Sequence, residues 1–247
     1  MLRYCTIRAL TKLPWALPAC CLLLFHIQAY AQAPGQAAAS DSIADRAVPC
    51  MACHGKEGRA TGDGSFPRIA GKPAGYLYNQ LRNFRDGRRK HGQMTYMVAT
   101  MSDRNLQEFA DYFAGLHPPY PAPQAPDVGP SELEHGRALV MQGDAGRNIP
   151  ACSACHGEKL TGTQPSIPGL AGLSRGYLSW QFGSWKTGTR KAAAPDCMGQ
   201  IAQRLTAQDI GALTAWIAAQ KVPDDMSAAP SGTIKLPIAC GSYAEKP

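Results

Sequence analysis

The chain has 247 residues, 45% hydrophobic and 17% charged, with a formal net charge of +7. That is enough chain for two small domains, and too apolar for a disordered polymer. The basic excess is modest, part of it lies in the first dozen residues, and no helix-turn-helix signature accompanies it, which argues against DNA or RNA as a partner.

The N-terminus reads as an export signal over residues 1–31. Arg3, Arg8 and Lys12 form a basic start, an apolar stretch runs from Trp15 to Ile27, and Ala29-Tyr30-Ala31 supplies the small-x-small pattern cut behind Ala31. The apolar run is short for a membrane-spanning helix. A lipoprotein cut before Cys20 is disfavoured by Pro18 inside its recognition site. The expected location is the periplasm. Cys5, Cys20 and Cys21 leave with the signal, and four of the remaining cysteines belong to two Cys-x-x-Cys-His units. Cys197 and Cys240 are left over, and in an exported protein the simplest reading of such a pair is a disulfide.

Beyond the signal the chain repeats itself at an offset near one hundred residues. Ile69-Ala70-Gly71 returns as Leu170-Ala171-Gly172. Gly75-Tyr76-Leu77, Gln80, Phe84 and Gly87 return as Gly176-Tyr177-Leu178, Gln181, Trp185 and Gly188. Met101-Ser102 with Leu106, Phe109, Tyr112 and Phe113 returns as Leu205-Thr206 with Ile210, Leu213, Trp216 and Ile217. The first copy is expected over residues 41–117 and the second over 131–221, with a polar, irregular tail over 222–247. Between the copies, residues 118–130 hold Pro118, Pro119, Pro121, Pro123, Pro126 and Pro130, which reads as a stiff extended linker.

Each copy reads as all-α. Helices are expected after Gly75 and Gly176, and Ser102 and Thr206 stand at N-cap positions directly before amphipathic runs. Leu106, Phe109, Ala110 and Phe113 fall at i, i+3, i+4 and i+7, so one stripe faces inward. No alternating strand pattern stands out. The basic cluster Arg85, Arg88, Arg89 and Lys90 reads as a solvated helix end stabilised by the helix dipole.

The two motifs are Cys50-Met51-Ala52-Cys53-His54 and Cys152-Ser153-Ala154-Cys155-His156. Two thiols within one helical turn can each form a thioether to a vinyl group on one porphyrin edge, while the adjacent histidine turns inward to iron. A zinc site would gather the cysteines as four ligands, and a thioredoxin-like pair needs a βαβ setting; neither suits two helical repeats. The spacing predicts two covalently bound haem c groups, attached through Cys50, Cys53, Cys152 and Cys155. His54 and His156 are the expected proximal ligands. Pro67 and Pro168, in matching Pro-x-(Ile/Leu)-Ala-Gly segments, are placed to orient the imidazoles through their backbone carbonyls.

The sixth ligands follow from register. Met198 lies eight residues before the cap Thr206, and eight residues before Ser102 stands Met94. Met97 and Met101 read as packing residues, and His91, a rival ligand, has no histidine counterpart around Ala194. Two closed His/Met irons suit outer-sphere electron transfer and leave no open position for oxygen or peroxide.

With these residues in view the sequence resembles the cytochrome c4 family, two-domain class I c-type cytochromes of bacterial periplasms. The resemblance runs from Asp41 to Lys221 and rests on the haem motifs, on Phe66-Pro67-Arg68-Ile69-Ala70-Gly71, on Met94 eight ahead of Ser102, and on the matching set in the second copy. It implies two cytochrome c folds packed about a pseudo-twofold axis. It also implies an electron-carrying role between membrane-associated respiratory complexes, a quinol-oxidising donor and a terminal oxidase or reductase. Three features depart from the family pattern: Asp45 where a glycine often allows close helix crossing, Cys197 directly before Met198, and the tail bearing Cys240. The alternatives are the cytochrome subunit of a periplasmic dehydrogenase, and a catalytic two-haem cytochrome similar to thiosulfate dehydrogenases with Cys197 as thiolate ligand.

Overall fold

A computed structural model of the chain describes residues 41–61 and 65–243. The export signal expected over 1–31 lies outside the described residues. In the first copy the helices are α1 (Ile43–Arg46), α2 (Val48–His54), α3 (Ala74–Arg85), α4 (Gly92–Val98) and α5 (Asp103–Ala114). The second copy contains α6 (Pro130–Met141), α7 (Ser153–His156), α8 (Arg175–Lys186), α9 (Cys197–Arg204) and α10 (Ala207–Ala219). No helix among the described residues is long and apolar enough to cross a membrane.

The helix starts obey local chemistry. Ser102 caps α5 by accepting the Asn105 N–H, and Thr206 caps α10 by accepting that of Asp209, whose carboxylate returns the favour to the Thr206 N–H. The inward stripe of α5 is buried as its period requires: Leu106, Phe109, Ala110 and Phe113 are all in the core, packed against α3. In the second copy α6 crosses α10 at Gly136, where an added Cβ would lie 2.2 Å from the Ala212 carbonyl oxygen. The crossing of α1 on α5 instead relies on side chains, with Arg46 bonded to Glu108 at 2.5 Å and its guanidinium over the Phe109 ring.

The structure departs from the sequence expectations in four places. A short antiparallel pair, Gly162–Thr163 with Ile167–Pro168, follows the second haem motif; two-residue strands are too brief for an alternating pattern to register. Pro130 is not linker but the first residue of α6, where its missing N–H costs nothing. Met97 is 38% exposed rather than a core filler, whereas Met101 does pack against the first copy's core. Arg89 is buried rather than solvated.

The proline-dense segment ahead of α6 holds neither helix nor strand and is pinned to both copies. Arg68 donates to the Pro118 carbonyl at 2.5 Å and the Pro119 carbonyl at 3.1 Å, with its guanidinium over the Tyr120 ring, and the Gln124 N–H reaches the Ala218 carbonyl. Arg89 and Arg190 lie opposite one another in an antiparallel bridge. On either side of it, the Lys90 N–H donates to Thr189 and the Lys191 N–H to Arg88, each at 2.7 Å. The exchange is reciprocal, as an approximate twofold relation between repeated segments demands.

Candidate functional site

Each Cys-x-x-Cys-His unit sits on a short helix, α2 or α7, that stops immediately after its histidine. The stop is made by Gly55 and Gly157, with φ of 76° and 84°, a region other residues avoid. Beyond Gly55 the chain folds back so closely that a Cβ there would lie 2.4 Å from the Ala60 carbonyl oxygen. In the second copy the turn is also tied by Thr163, whose hydroxyl donates to the Cys155 carbonyl at 2.9 Å.

His54 and His156 are both buried, and both imidazoles are oriented by proline carbonyls. His54 Nδ1 lies 2.9 Å from the Pro67 oxygen and His156 Nδ1 2.7 Å from the Pro168 oxygen. Placing the proton on Nδ1 leaves the Nε2 lone pair free for a metal. Burial pulls His54 below its ordinary pKa and takes His156 down to about 4, so both rings are neutral at pH 7. Burial also raises the thiols of Cys50, Cys155 and Cys152, the last to about 12, which is opposite to the depressed pKa of a thioredoxin-like nucleophile. Among the described residues no three or more His, Cys, Asp or Glu side chains converge on one point, so the zinc alternative has no ligand set.

Helices α4 and α9 carry the two methionines singled out by register. Met94 packs with Phe84, Val98 and Leu106; Met198 borders the core of the second copy. His91 is used otherwise: its ring accepts the Met94 N–H as the cap of α4 and stands edge-on to Phe84 and Trp180.

Cys152, Cys155, His156 and Met198 all line one cavity in the second copy. Its walls are largely apolar, including Leu139, Leu178, Phe182, Ile201 and Leu213. The C-terminal tail forms part of the wall through Leu236, Ile238, Cys240 and Ser242. Its backbone is irregular, as expected, but anchored. Tyr243 is buried, the Ser242 carbonyl accepts Asn79 Nδ2 at 3.1 Å and the Ser166 hydroxyl at 2.7 Å, and Cys240 is disulfide-bonded to Cys197.

The polar wall of this cavity, formed by Arg190, Gln80 and Gln181 with Arg89 bonded behind them, is where sequence reasoning fell short. Arg89 and Arg190, 7% and 6% exposed, share the Gln80 and Gln181 side-chain oxygens, with Tyr76 and Tyr177 alongside. Burial and the neighbouring Arg89 pull the Arg190 pKa down. No carboxylate bonds either guanidinium among the described residues. Gln181 Nε2 and Trp185 Nε1, also at the cavity, are buried without a partner. Two desolvated cations and two orphaned N–H donors call for an anion. A haem c, with an apolar ring and two carboxylate arms, matches that donor set. The repeat does match Gln80 with Gln181, but no local pattern marks Arg89 and Arg190 as buried.

Comparisons with known proteins agree with this arrangement. Residues 134–221 match the cytochrome c family. The thiosulfate dehydrogenase electron acceptor of Thiomonas intermedia (strain K12) is 34% identical over 229 residues, covering 92% of this chain and 95% of that protein. Cytochrome c4 of Pseudomonas aeruginosa is 32% identical, covering 79% of this chain and 94% of its own. Among solved structures, reduced cytochrome c4 from Pseudomonas stutzeri superposes with a TM-score of 0.62 at 28% identity, covering 72% of this chain and 96% of that one. Thiosulfate dehydrogenase (TsdBA) from Marichromatium purpuratum gives 0.63 at 33% identity, over 70% of this chain and 36% of that one. With its all-α architecture of two class I cytochrome c domains and two covalent haem c groups, the chain belongs to the cytochrome c4 family.

Proposed function

We propose that this protein is an exported two-haem electron carrier that accepts single electrons from a thiosulfate-oxidising dehydrogenase and passes them to a membrane-associated respiratory complex. In this reading Cys50, Cys53, Cys152 and Cys155 attach the haems, and His54 with Met94 and His156 with Met198 are the axial pairs. With Pro130 given to α6, the domains divide near 41–117 and 130–221, with 118–129 as linker and 222–247 as tail. The bound groups supply a one-electron Fe(III)/Fe(II) couple.

The chain's own residues do the rest. His54 and His156 keep their Nδ1 protons on Pro67 and Pro168, so each offers a fixed Nε2. Met94 and Met198 offer soft thioethers that favour the reduced state. Arg89 and Arg190 offer charge to carboxylate arms at the contact between the copies, and the apolar walls with the tail keep water from the second site. The observation that carries the reading is that His156 and Met198 line one cavity with Cys152 and Cys155, while His54 and Met94 hold the matching positions of the repeat; in this reading both irons are closed and no position is left for a substrate.

The catalytic alternative needs Cys197 as a free thiolate, and its disulfide with Cys240 speaks for a carrier instead. The acceptor role is supported by two relatives bearing that description, from Thiomonas intermedia and Stutzerimonas stutzeri, at 34% and 36% identity. The test is anaerobic stopped-flow mixing of the oxidised protein with a thiosulfate dehydrogenase and thiosulfate. Rapid haem reduction that depends on the dehydrogenase is expected. Reduction by thiosulfate alone, with turnover, would make the protein an enzyme, and no reduction in either case would remove the dehydrogenase as donor.

A further inference from the structure

The two copies differ at one position of their contact. Lys72 follows Ala70-Gly71, whereas the residue after Ala171-Gly172 is Leu173. Leu173 packs on the core of its own copy. Lys72 leaves its copy altogether: it is 4% exposed, and its Nζ donates to the Gly169 carbonyl of the second copy at 2.6 Å. Gly169 adjoins Pro168, the residue whose carbonyl orients His156. No carboxylate is bonded to Lys72 among the described residues, and its charged neighbour is another cation, Arg68. An ammonium without water or a counter-charge is costly to bury, and burial accordingly brings its pKa down to about 7. Arg68, which follows the corresponding proline of the first copy, is turned away onto the Pro118 and Pro119 carbonyls.

Resting on the reading of His156 as an iron ligand, we propose that Lys72 is a positioning residue, reaching from the first copy to raise the midpoint potential of the second haem. Two effects act together. The hydrogen bond to Gly169 fixes the segment that presents the Pro168 carbonyl to His156. The positive charge, in a poorly screened interior, disfavours Fe(III) relative to Fe(II), because the oxidised site carries one more positive charge. Reduction adds one electron to one iron and removes one from the donor, with no bond made or broken. Lys72 thus biases the electron towards the second haem without touching it.

The test is a redox titration at pH 6, where the amine is protonated, followed by NMR through the methyl resonances of the coordinated methionines. Assignments come from Met94→Ala and Met198→Ala. Lys72→Met should lower the second haem's potential by about 59 mV, a tenfold change in its reduction equilibrium, and move the first haem far less. Lys72→Gln keeps a donor for Gly169 but drops the charge, and should show most of the same fall even if the methionine variant folds poorly. A Gln variant at the wild-type potential, or equal shifts at both haems, would overturn the proposal. A wild-type protein without the far-red band of methionine-bound Fe(III) would remove the ligand reading itself. A normal band with unmoved potentials would sink Lys72 alone.

Discussion

Replacing Cys240 with serine tests whether the tail holds the second site together. The disulfide joins residues 43 apart, and opening a loop of that size frees unfolded-chain entropy worth about 4 kcal/mol at 25 °C. The native contacts of the tail are largely independent of the sulfur: the Gly241 N–H donates to the Pro195 carbonyl, and Ser242 is held by Asn79 and Ser166. The loss should therefore stay near the loop figure. Cys197 opens α9 directly beside Met198, so the site should respond along with the fold. In urea titrations of the oxidised protein, the far-red methionine band of the variant should fall in two steps, half of it at markedly lower urea than in wild type. The other half, from the first copy, should fall where it always did. Treating wild type with a thiol reductant before reoxidising the iron should reproduce the variant. A loss under 1 kcal/mol would refute the reasoning, as would both halves of the band disappearing together.

Met198→Ala should remove about half of the far-red band while the haem stays covalently attached through Cys152 and Cys155, and Met94→Ala should remove the other half; absorption spectra of the pure ferric variants decide it. Asp209 is buried and, although burial opposes ionisation, bonds from Arg147, the Thr206 N–H and His135 hold its carboxyl well below the usual range. Its stabilising effect is complete above the unfolded value of about 3.9 and is lost as pH falls further. Asp209→Asn should cost about 2 to 3 kcal/mol near neutral pH and flatten the acid limb of the stability profile, measured by urea unfolding between pH 2 and 7. Gly136→Ala should destabilise the second copy by roughly 1 to 3 kcal/mol in the same assay, since the new methyl meets the Ala212 backbone rather than a side chain that can turn aside.

Much of this protein was legible without coordinates because its chemistry is local. Two thiols and a histidine within one helical turn define an attachment site whatever surrounds them, and Ser102 and Thr206 cap helices by reaching only three residues ahead. The duplication carried the rest of the sequence argument: register from Thr206 to Met198 and from Ser102 to Met94 put the two methionines on corresponding helices. What depends on how the copies meet could not be read this way. Arg89 stands in a run of cations indistinguishable from a solvated helix end, and only its approach to Arg190, itself at the cavity wall, buries it. The tail looks polar in composition, yet contacts with Asn79 and Ser166, far away in sequence, bring it over the second site. Lys72 belongs by sequence to the first copy and acts by position on the second. Such contacts join residues 76 to 163 apart, and no helical period, cap or motif spacing encodes which surfaces of two folded units will face each other; only packing decides that.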